Sequence, residues 1–273
     1  MSIRQCLGNQ ILGVLAHYAP RGVSVQICGV YPEWDNSLQV FFPKGHALRV
    51  GDFATLHLDN RSGVDEYDDE LKVYRGSYKG VVTGLRGDWA VLQPRECTLY
   101  HGLRAVLTLR TPGYDFPADA RPSQSLAQTT LRHLPSANGD DHENKVGVLV
   151  TMAPEQPHTT VLAFLSSTQD DVFLITFPDT FKSRLLKRDP RCFFVIDERA
   201  SFTFERRIEW NYTILAGVAA SIPRGALYEE VRESFIRKNP WEIGFFVRED
   251  LEMYHISRQR ILAPGEAYVP TLG

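Results

Sequence analysis

A hydroxyl group and an ammonium group lie close together where a predicted strand gives way to a predicted helix. Residues 172–177 are apolar, β-branched or aromatic, as in a buried strand, and Pro178 ends the run. Asp179 or Thr180 suits a helix N-cap, so Lys182 falls in the first turn, where unbonded N–H groups and the helix dipole favour an anion. The sequence therefore predicts a phosphate site at Thr180 and Lys182. The alternative is that Thr180 only caps the helix and Lys182 is a solvated surface lysine.

This pair belongs to the second of two β-rich halves. Over residues 23–110, short strand-like runs are separated by turn residues, and Gly87-Asp88 suits a tight hairpin. A second series of strand-like runs begins after Lys145. Six such runs with two helices in about 110 residues suit a closed antiparallel barrel with helical covers.

Two further helices are predicted from the spacing of apolar residues. Leu7, Ile11 and Leu15 recur every four residues, which predicts a short amphipathic helix over residues 3–17. Residues 226–238 have an apolar face, acidic residues early and basic residues late, which matches the dipole of a helix.

A polar, proline-containing segment separates the two halves. We predict a mainly β chain with a few helices, in which residues 1–120 form a small β-barrel or sandwich of unassigned role. Residues 121–144 are predicted to be a polar linker, and residues 145–273 the six-stranded antiparallel barrel. The histidines and acids of the linker are spaced too irregularly for a metal site, so no metal is predicted.

Composition and charge narrow the class of protein. The chain has 273 residues, 43% of them hydrophobic, and a formal net charge of -3, which argues against a main role in neutralising nucleic acid. Cys6, Cys28, Cys97 and Cys192 are far apart and form no C-x-x-C pair, which favours free thiols in a reducing compartment. With no signal-peptide pattern and no apolar run of about 18 residues, we expect a cytoplasmic protein without a membrane partner.

One stretch of the first half combines basic and aromatic residues, as single-stranded nucleic-acid grooves do. Its members are Arg75, Lys79, Arg86, Tyr74, Tyr78 and Trp89. Aromatic residues at strand spacing are more often core and edge residues, so nucleic-acid binding is not the favoured interpretation.

Three segments of the second half follow the order of a known family. They are VGVLVT, which ends at Thr151, HTTVLAF, which follows Pro157, and ITFPDTFKSRLLKRDPRCFFV. The motif positions in the last segment are Thr176, Thr180, Lys182, Leu186 and Pro190. In this order and spacing, residues 145–264 resemble the FMN-binding split-barrel superfamily, whose best-known members are the pyridoxamine 5'-phosphate oxidase-like proteins.

The resemblance implies a split barrel with FMN as its cofactor. Thr180 and Lys182 would bind the FMN phosphate, at the place where the helix terminus favours an anion. On the second strand, His158, Thr159 and Thr160 would contact the phosphate and the ribityl chain.

The position of the flavin ring and the assembly follow from the same resemblance. Val161 and Leu162 would lie under the isoalloxazine ring, with Ile175 and Thr176 at its edge. In the family the cofactor lies between the two barrels of a homodimer, so we expect a homodimer here. The aromatic residues expected to cover the cofactor or to build that interface are Trp210, Tyr212, Trp241 and Phe245.

The chain departs from the true oxidases in two ways. They carry arginines at about the Thr159 position and before the lysine, where this chain has Phe181. Fewer cations would surround the phosphate, which lowers the expected affinity unless Arg184 or a partner subunit compensates. The substrate-binding arginine-histidine pair is also missing, because Arg248 is followed by two acids. Oxidation of vitamin B6 is therefore not expected.

Three hypotheses of function follow. The leading one is an FMN-binding protein that acts as a flavin-dependent oxidoreductase on an unknown substrate. Its redox partner would be NAD(P)H or another small molecule. No catalytic side chain is assigned. The second is a haem-binding barrel, with His158 or His255 as the iron ligand. The third is a ligand-sensing or interaction module without catalysis.

Overall fold

Two closed antiparallel barrels are formed by strands from the two halves of the chain. The computed structural model describes residues 1–60, 73–116, 119–142, 144–197 and 212–272. The first half contains α1 (Ile3–Leu7), β1 (Ile11–Ala19), β2 (Gly22–Pro32), β3 (Leu38–Phe41), β4 (Phe53–Asp59), β5 (Arg75–Arg86), β6 (Trp89–His101) and β7 (Arg104–Arg110). The second half contains β8 (Val146–Thr151), β9 (His158–Ser166), β10 (Val172–Thr176), α2 (Phe181–Arg188), β11 (Arg191–Asp197), β12 (Tyr212–Ser221), α3 (Ala226–Lys238), a 3-10 helix (Pro240–Val247), β13 (Glu252–Ile261) and β14 (Ala267–Tyr268).

The first barrel runs in the order β1-β4-β5-β6-β3-β2 and closes where β2 pairs with β1. β7 extends it beside β6, and β14 pairs with β2 from the far end of the chain. The Gly87-Asp88 turn joins β5 to β6 as predicted, and Gly87 has a φ of 56°, which glycine adopts without strain. The interior is filled by apolar side chains such as Leu15, Val40 and Leu92.

The second barrel closes in the order β10-β13-β12-β11-β8-β9, so the prediction of a mainly β chain with a six-stranded antiparallel barrel is confirmed. Both helices predicted in this half are present, α2 directly after its N-cap Thr180 and α3 over Ala226–Lys238. None of the helices in the described ranges is both long enough and apolar enough to cross a lipid bilayer.

The prediction of a helix over residues 3–17 is correct for residues 3–7 and wrong for the rest. α1 ends at Leu7, and β1 begins at Ile11. The strand is buried on both faces: Ile11 and Leu15 pack inside the first barrel, while Val14 and Ala16 pack against the second. A strand buried on both faces has no polar residue at every second position, so the alternation that identifies a strand is missing.

An apolar cluster joins the two barrels, and we call it the inter-barrel cluster. Its members are Val14, Ala16, Val23, Val25, Ile27, Val148, Val150, Met152, Phe193, Val195, Ile214, Ala216 and Leu262. Full burial of a valine or phenylalanine side chain stabilises a fold by about 1.5–3 kcal/mol, so these contacts hold the barrels firmly together.

The segment between β7 and β8 crosses from the first barrel to the second and is anchored to the second. Arg121 donates to the carbonyl of Met152 at 2.7 Å, and Thr129 donates its backbone N–H to Ser221 at 2.9 Å. Its described residues contain no helix and no strand longer than an isolated bridge.

Candidate functional site

The site begins at the N-terminus of α2, where two threonine hydroxyls meet. Thr180 caps the helix: its Oγ1 accepts from the N–H of Ser183 at 3.4 Å and donates to the carbonyl of Phe177 at 2.8 Å. Thr176 Oγ1 lies 2.8 Å from Thr180 Oγ1. Since Thr180 uses its single proton on Phe177, it can accept the proton of Thr176. The pair therefore stabilises the turn, and Thr180 would have to release Phe177 to donate to a ligand.

Lys182, the second residue of α2, is half-buried, and the described residues supply it with no counter-charge. Burial lowers the pKa of Lys182, and within the described residues no carboxylate or carbonyl accepts a bond from its ammonium group. By contrast, Lys187 on the same helix reaches Glu252 at 2.6 Å. A half-buried ammonium without a partner costs free energy that a bound anion would recover.

His158, at the start of β9, lies against this turn. Its ring packs edge-on to Phe181, with 4.8 Å between centroids, and to Phe116 at 6.0 Å. Nδ1 is buried, and none of the described residues forms a hydrogen bond with it. Burial, together with the positive charges of Lys79 and Lys182, lowers the pKa of His158 to about 3. The imidazole is therefore neutral at physiological pH and adds no charge for an anion.

Residues of the first barrel hold the beginning of β9 in place. Thr55 Oγ1 donates to the carbonyl of Pro157 at 2.6 Å, and Ser77 Oγ lies 3.2 Å from Thr159 Oγ1. The ammonium group of Lys79 lies 4.5 Å from the centroid of the Phe116 ring. These three residues of the first barrel were not predicted to be part of the site.

Two of the three basic residues noted in β5 are buried, whereas Arg86 at the end of the strand is exposed. Arg75 is buried and donates to Asp59 at 2.8 Å, and Lys79 is buried and reaches Glu96 at 2.6 Å. Each of these two charges is therefore paired with a carboxylate of the first barrel.

The side chains predicted on β9 divide between two faces, because successive residues of a strand point to opposite sides. Thr159 and Val161 face the first barrel, where Thr159 contacts Ser77 and Val161 lines a crevice between the barrels. Thr160 and Leu162 lie on the other face, and Leu162 packs on the core of the second barrel.

The crevice beside Val161 is narrow. It is lined mainly by apolar residues, five of them valines, with His57, Asp59 and Asp197 as its polar residues. Its volume is about 20 Å³, which is room for a single water molecule. A tricyclic ring placed on Val161 would require the two barrels to move apart at this edge.

The remaining predicted residues lie on β10. Thr176 is buried next to Thr180, whereas Ile175 packs into the apolar cluster under α3, beside Phe173 and Val231. The structure thus brings Thr176 to Thr180, and His158 to Phe181, at the start of α2. It places Thr159 and Val161 at the first barrel and Ile175 under α3.

The two histidines considered as iron ligands differ in their hydrogen bonds. His255 is buried, with Nε2 at 2.8 Å from Asp171 and Nδ1 at 2.8 Å from Thr129. Both of its ring nitrogens are therefore occupied. His158 has a buried Nδ1 for which the described part of the chain supplies no partner, so it is the better candidate of the two.

The aromatic residues predicted to cover the cofactor or to build a homodimer interface do not lie together in the described structure. Trp210 lies outside the described residues. Tyr212 packs on the inter-barrel cluster, and Phe245 packs on the cluster under α3. Trp241 is 59% exposed.

The comparisons with known proteins come from structure alone. No protein-family model and no curated protein sequence matches the chain. Similar solved structures include HutZ, the heme storage protein from Vibrio cholerae (16% identity, 44% of this chain, 86% of that chain, TM-score 0.37). A FAD-binding protein from Mesorhizobium loti is also similar (16% identity, 43% of this chain, 83% of that chain, TM-score 0.35). So is a putative pyridoxamine 5'-phosphate oxidase from Listeria innocua (16% identity, 46% of this chain, 94% of that chain, TM-score 0.33).

These similar structures are split-barrel proteins of the pyridoxamine 5'-phosphate oxidase-like kind, and each covers a little less than half of the chain. Their TM-scores are all below 0.5, so no residue of this chain takes its role from them.

Proposed function

We propose that this chain binds FMN, with the phosphate at the start of α2, and that it is a flavin-dependent oxidoreductase. The observation that carries the proposal is Lys182, a half-buried ammonium at a helix N-terminus for which the described residues supply no counter-charge. A phosphate would pair with it and would accept from the N–H groups that the first turn leaves unbonded.

The flavin would supply the hydride chemistry, and the chain would supply binding and position. Lys182 would hold the phosphate, and the Thr176–Thr180 pair would fix the turn that carries it. His158, Phe116 and Phe181 would form an uncharged wall that limits the access of water to the phosphate. NAD(P)H or another small molecule would serve as the redox partner.

Replacing Lys182 by alanine tests the proposal. We expect Lys182→Ala to weaken FMN binding by about tenfold or more, since a hydrogen bond to a charged group contributes about 1.5–3 kcal/mol. The measurement is a titration of flavin fluorescence with the full chain. The matched control is Lys187→Ala, which removes the same charge from the far end of α2, where Glu252 pairs with it. Equal FMN affinity of the two variants would contradict the proposal.

Haem is the second candidate ligand, and the observation that favours it is the buried Nδ1 of His158, which bonds to no residue that the structure describes. A neutral imidazole with a free nitrogen is the form that binds iron. If haem is the ligand, added haemin gives a sharp Soret band that His158→Ala abolishes and the exposed-site variant His133→Ala retains. A Soret band of the same height in His158→Ala would exclude His158 as the ligand, and a yellow purified protein with flavin absorption would favour FMN.

A further inference from the structure

A cleft is formed where the first barrel meets the turn that joins β8 to β9. It is lined by Arg95 of β6, by residues 111–115, which follow β7, and by Glu155 of the turn. Its volume is about 440 Å³, and it is open to solvent on one side. Small-molecule sites typically have volumes of about 300–1,000 Å³. The cleft therefore has room for a small organic molecule, and none of its lining residues is part of the candidate site described above.

Arg95 is the cation of this cleft, and two aromatic rings hold its guanidinium group. The central carbon of the group lies 3.9 Å from the centroid of the Phe53 ring and 4.3 Å from that of the Tyr114 ring. Such contacts orient an arginine without using its N–H donors. Nη1 reaches Gln156 Oε1 only at 3.5 Å, which is long for a hydrogen bond. The guanidinium group is thus held in place while most of its five N–H donors stay available.

Within the described ranges, Arg95 has no carboxylate partner, and its guanidinium group donates only to the uncharged amide of Gln156. Asp115 lines the same cleft, but its carboxylate lies 3.1 Å from Arg110 and pairs with it. Arginine binds carboxylates in a bidentate manner, through two parallel N–H groups. The cleft therefore offers a carboxylate site at Arg95.

Glu155 supplies the opposite charge to the same cleft. Its side chain is exposed, and none of the residues that the structure describes pairs with its carboxylate. Its φ is 65°, which costs free energy in a residue other than glycine. The N–H of Gln156 donates to the carbonyl of Pro154 at 2.8 Å and closes a tight turn around Glu155. Gln156 is fully buried and donates from Nε2 to Thr55 at 2.8 Å, so the first barrel anchors this turn.

We propose that the cleft binds a free amino acid, whose carboxylate pairs with Arg95 and whose ammonium group pairs with Glu155. Both charged groups line the one cleft, and neither has a charged partner among the described residues. An anion alone would leave Glu155 unpaired, and an amine alone would leave Arg95 unpaired, whereas a zwitterion pairs with both. The open side of the cleft leaves room for the side chain of the amino acid. This site is separate from the proposed FMN site and does not depend on it.

The first experiment measures the thermal unfolding of the full chain with each standard L-amino acid at about 10 mM. We expect at least one of them to raise the melting temperature, because a ligand that binds only the folded state stabilises it. If none does, the proposal is wrong.

Calorimetric titration of the most stabilising amino acid then tests Arg95. We expect Arg95→Met to weaken binding by about tenfold or more, since a hydrogen bond to a charged group is lost. Methionine keeps much of the packing between the two rings. The control is Arg49→Met, which removes an exposed arginine from the first half of the chain and should leave the affinity unchanged. An affinity that Arg95→Met retains would refute the site.

Glu155 is tested with a matched pair of ligands, the same amino acid and its N-acetyl derivative, which keeps the carboxylate but has no ammonium charge. We expect the wild type to bind the free amino acid about fivefold or more tightly than the derivative. Glu155→Gln should bind both with similar affinity, and because the side chain is exposed, this change leaves the core untouched. A preference for the free amino acid that persists in Glu155→Gln would rule out the pairing with Glu155.

Discussion

Lys238→Met is expected to be more stable than the wild-type protein at pH 7 and to lose a pH dependence that the wild type shows. Lys238, at the end of α3, is 5% exposed, and its ammonium group lies 3.6 Å from the centroid of the Phe164 ring. Within the described ranges, this ammonium group has no hydrogen-bond partner. Burial lowers the pKa of Lys238 to about 7, against a raising effect of Asp141 and a lowering effect of Lys145.

The sign of the pH effect follows from proton binding. Below pH 7 both folded and unfolded chains carry the proton on Lys238, and the folded state bears the full cost of burying the charge. Between pH 7 and the unfolded pKa of 10.5, only the unfolded chain keeps the proton, so stability rises with pH by up to about 1.4 kcal/mol per pH unit. Methionine has a similar length and no charge, so the variant has neither the cost nor the slope.

Urea unfolding at pH 7, 8 and 9 measures this difference. The free energy of unfolding of the wild type should rise toward that of Lys238→Met as the pH increases. Lys44→Met, which lacks an exposed lysine, should follow the wild type. Parallel curves for the wild type and Lys238→Met would show that the buried amine does not set the slope.

Gly217→Ala is expected to destabilise the second barrel by at least about 2–3 kcal/mol. Gly217 lies at a register shift between β12 and β13. A Cβ atom there would be 2.4 Å from the carbonyl oxygen of Ser257 and 3.0 Å from a methyl group of Ile256. The oxygen belongs to the backbone of β13, so the strand itself would have to move.

The matched control is Gly84→Ala, another glycine in a strand near a register shift. Its added Cβ would meet only Val91, at 3.7 Å, which is an ordinary contact. Thermal unfolding should therefore show a marked fall in melting temperature for Gly217→Ala and little change for Gly84→Ala. Equal melting temperatures would mean that β13 accommodates the methyl group without cost.

The elements that the sequence predicts correctly are those whose structure is set by residues close together in the chain. The cap at Thr180 and the apolar face of α3 are set within one or two turns, and both helices are present as predicted. β1 could not be predicted in this way, because its burial on both faces depends on the second barrel, which begins more than 100 residues later.

The same limit applies to the site. The placement of Thr180 and Lys182 at the start of α2 could be predicted because a strand, a cap and a helix follow one another directly. Ser77 contacts Thr159 across 82 residues, and nothing in the local pattern of β5 indicates that contact. The alternation of Lys79 with aromatic residues is the one local pattern that marks β5, and it predicts an exposed groove rather than a contact with the second barrel.

The pairing of β14 with β2 can form only late in the synthesis of the chain. β14 pairs with Val23 and Ser24 of β2, and the hydroxyl of Ser24 donates to the carbonyl of Gly265, 241 residues further along the chain. On the ribosome, the edge of β2 is made long before its partner leaves the exit tunnel. The first barrel therefore gains this pairing only after the 241 residues from Ser24 to Gly265 have been synthesised, and a nascent chain interrupted earlier would expose that edge to other chains.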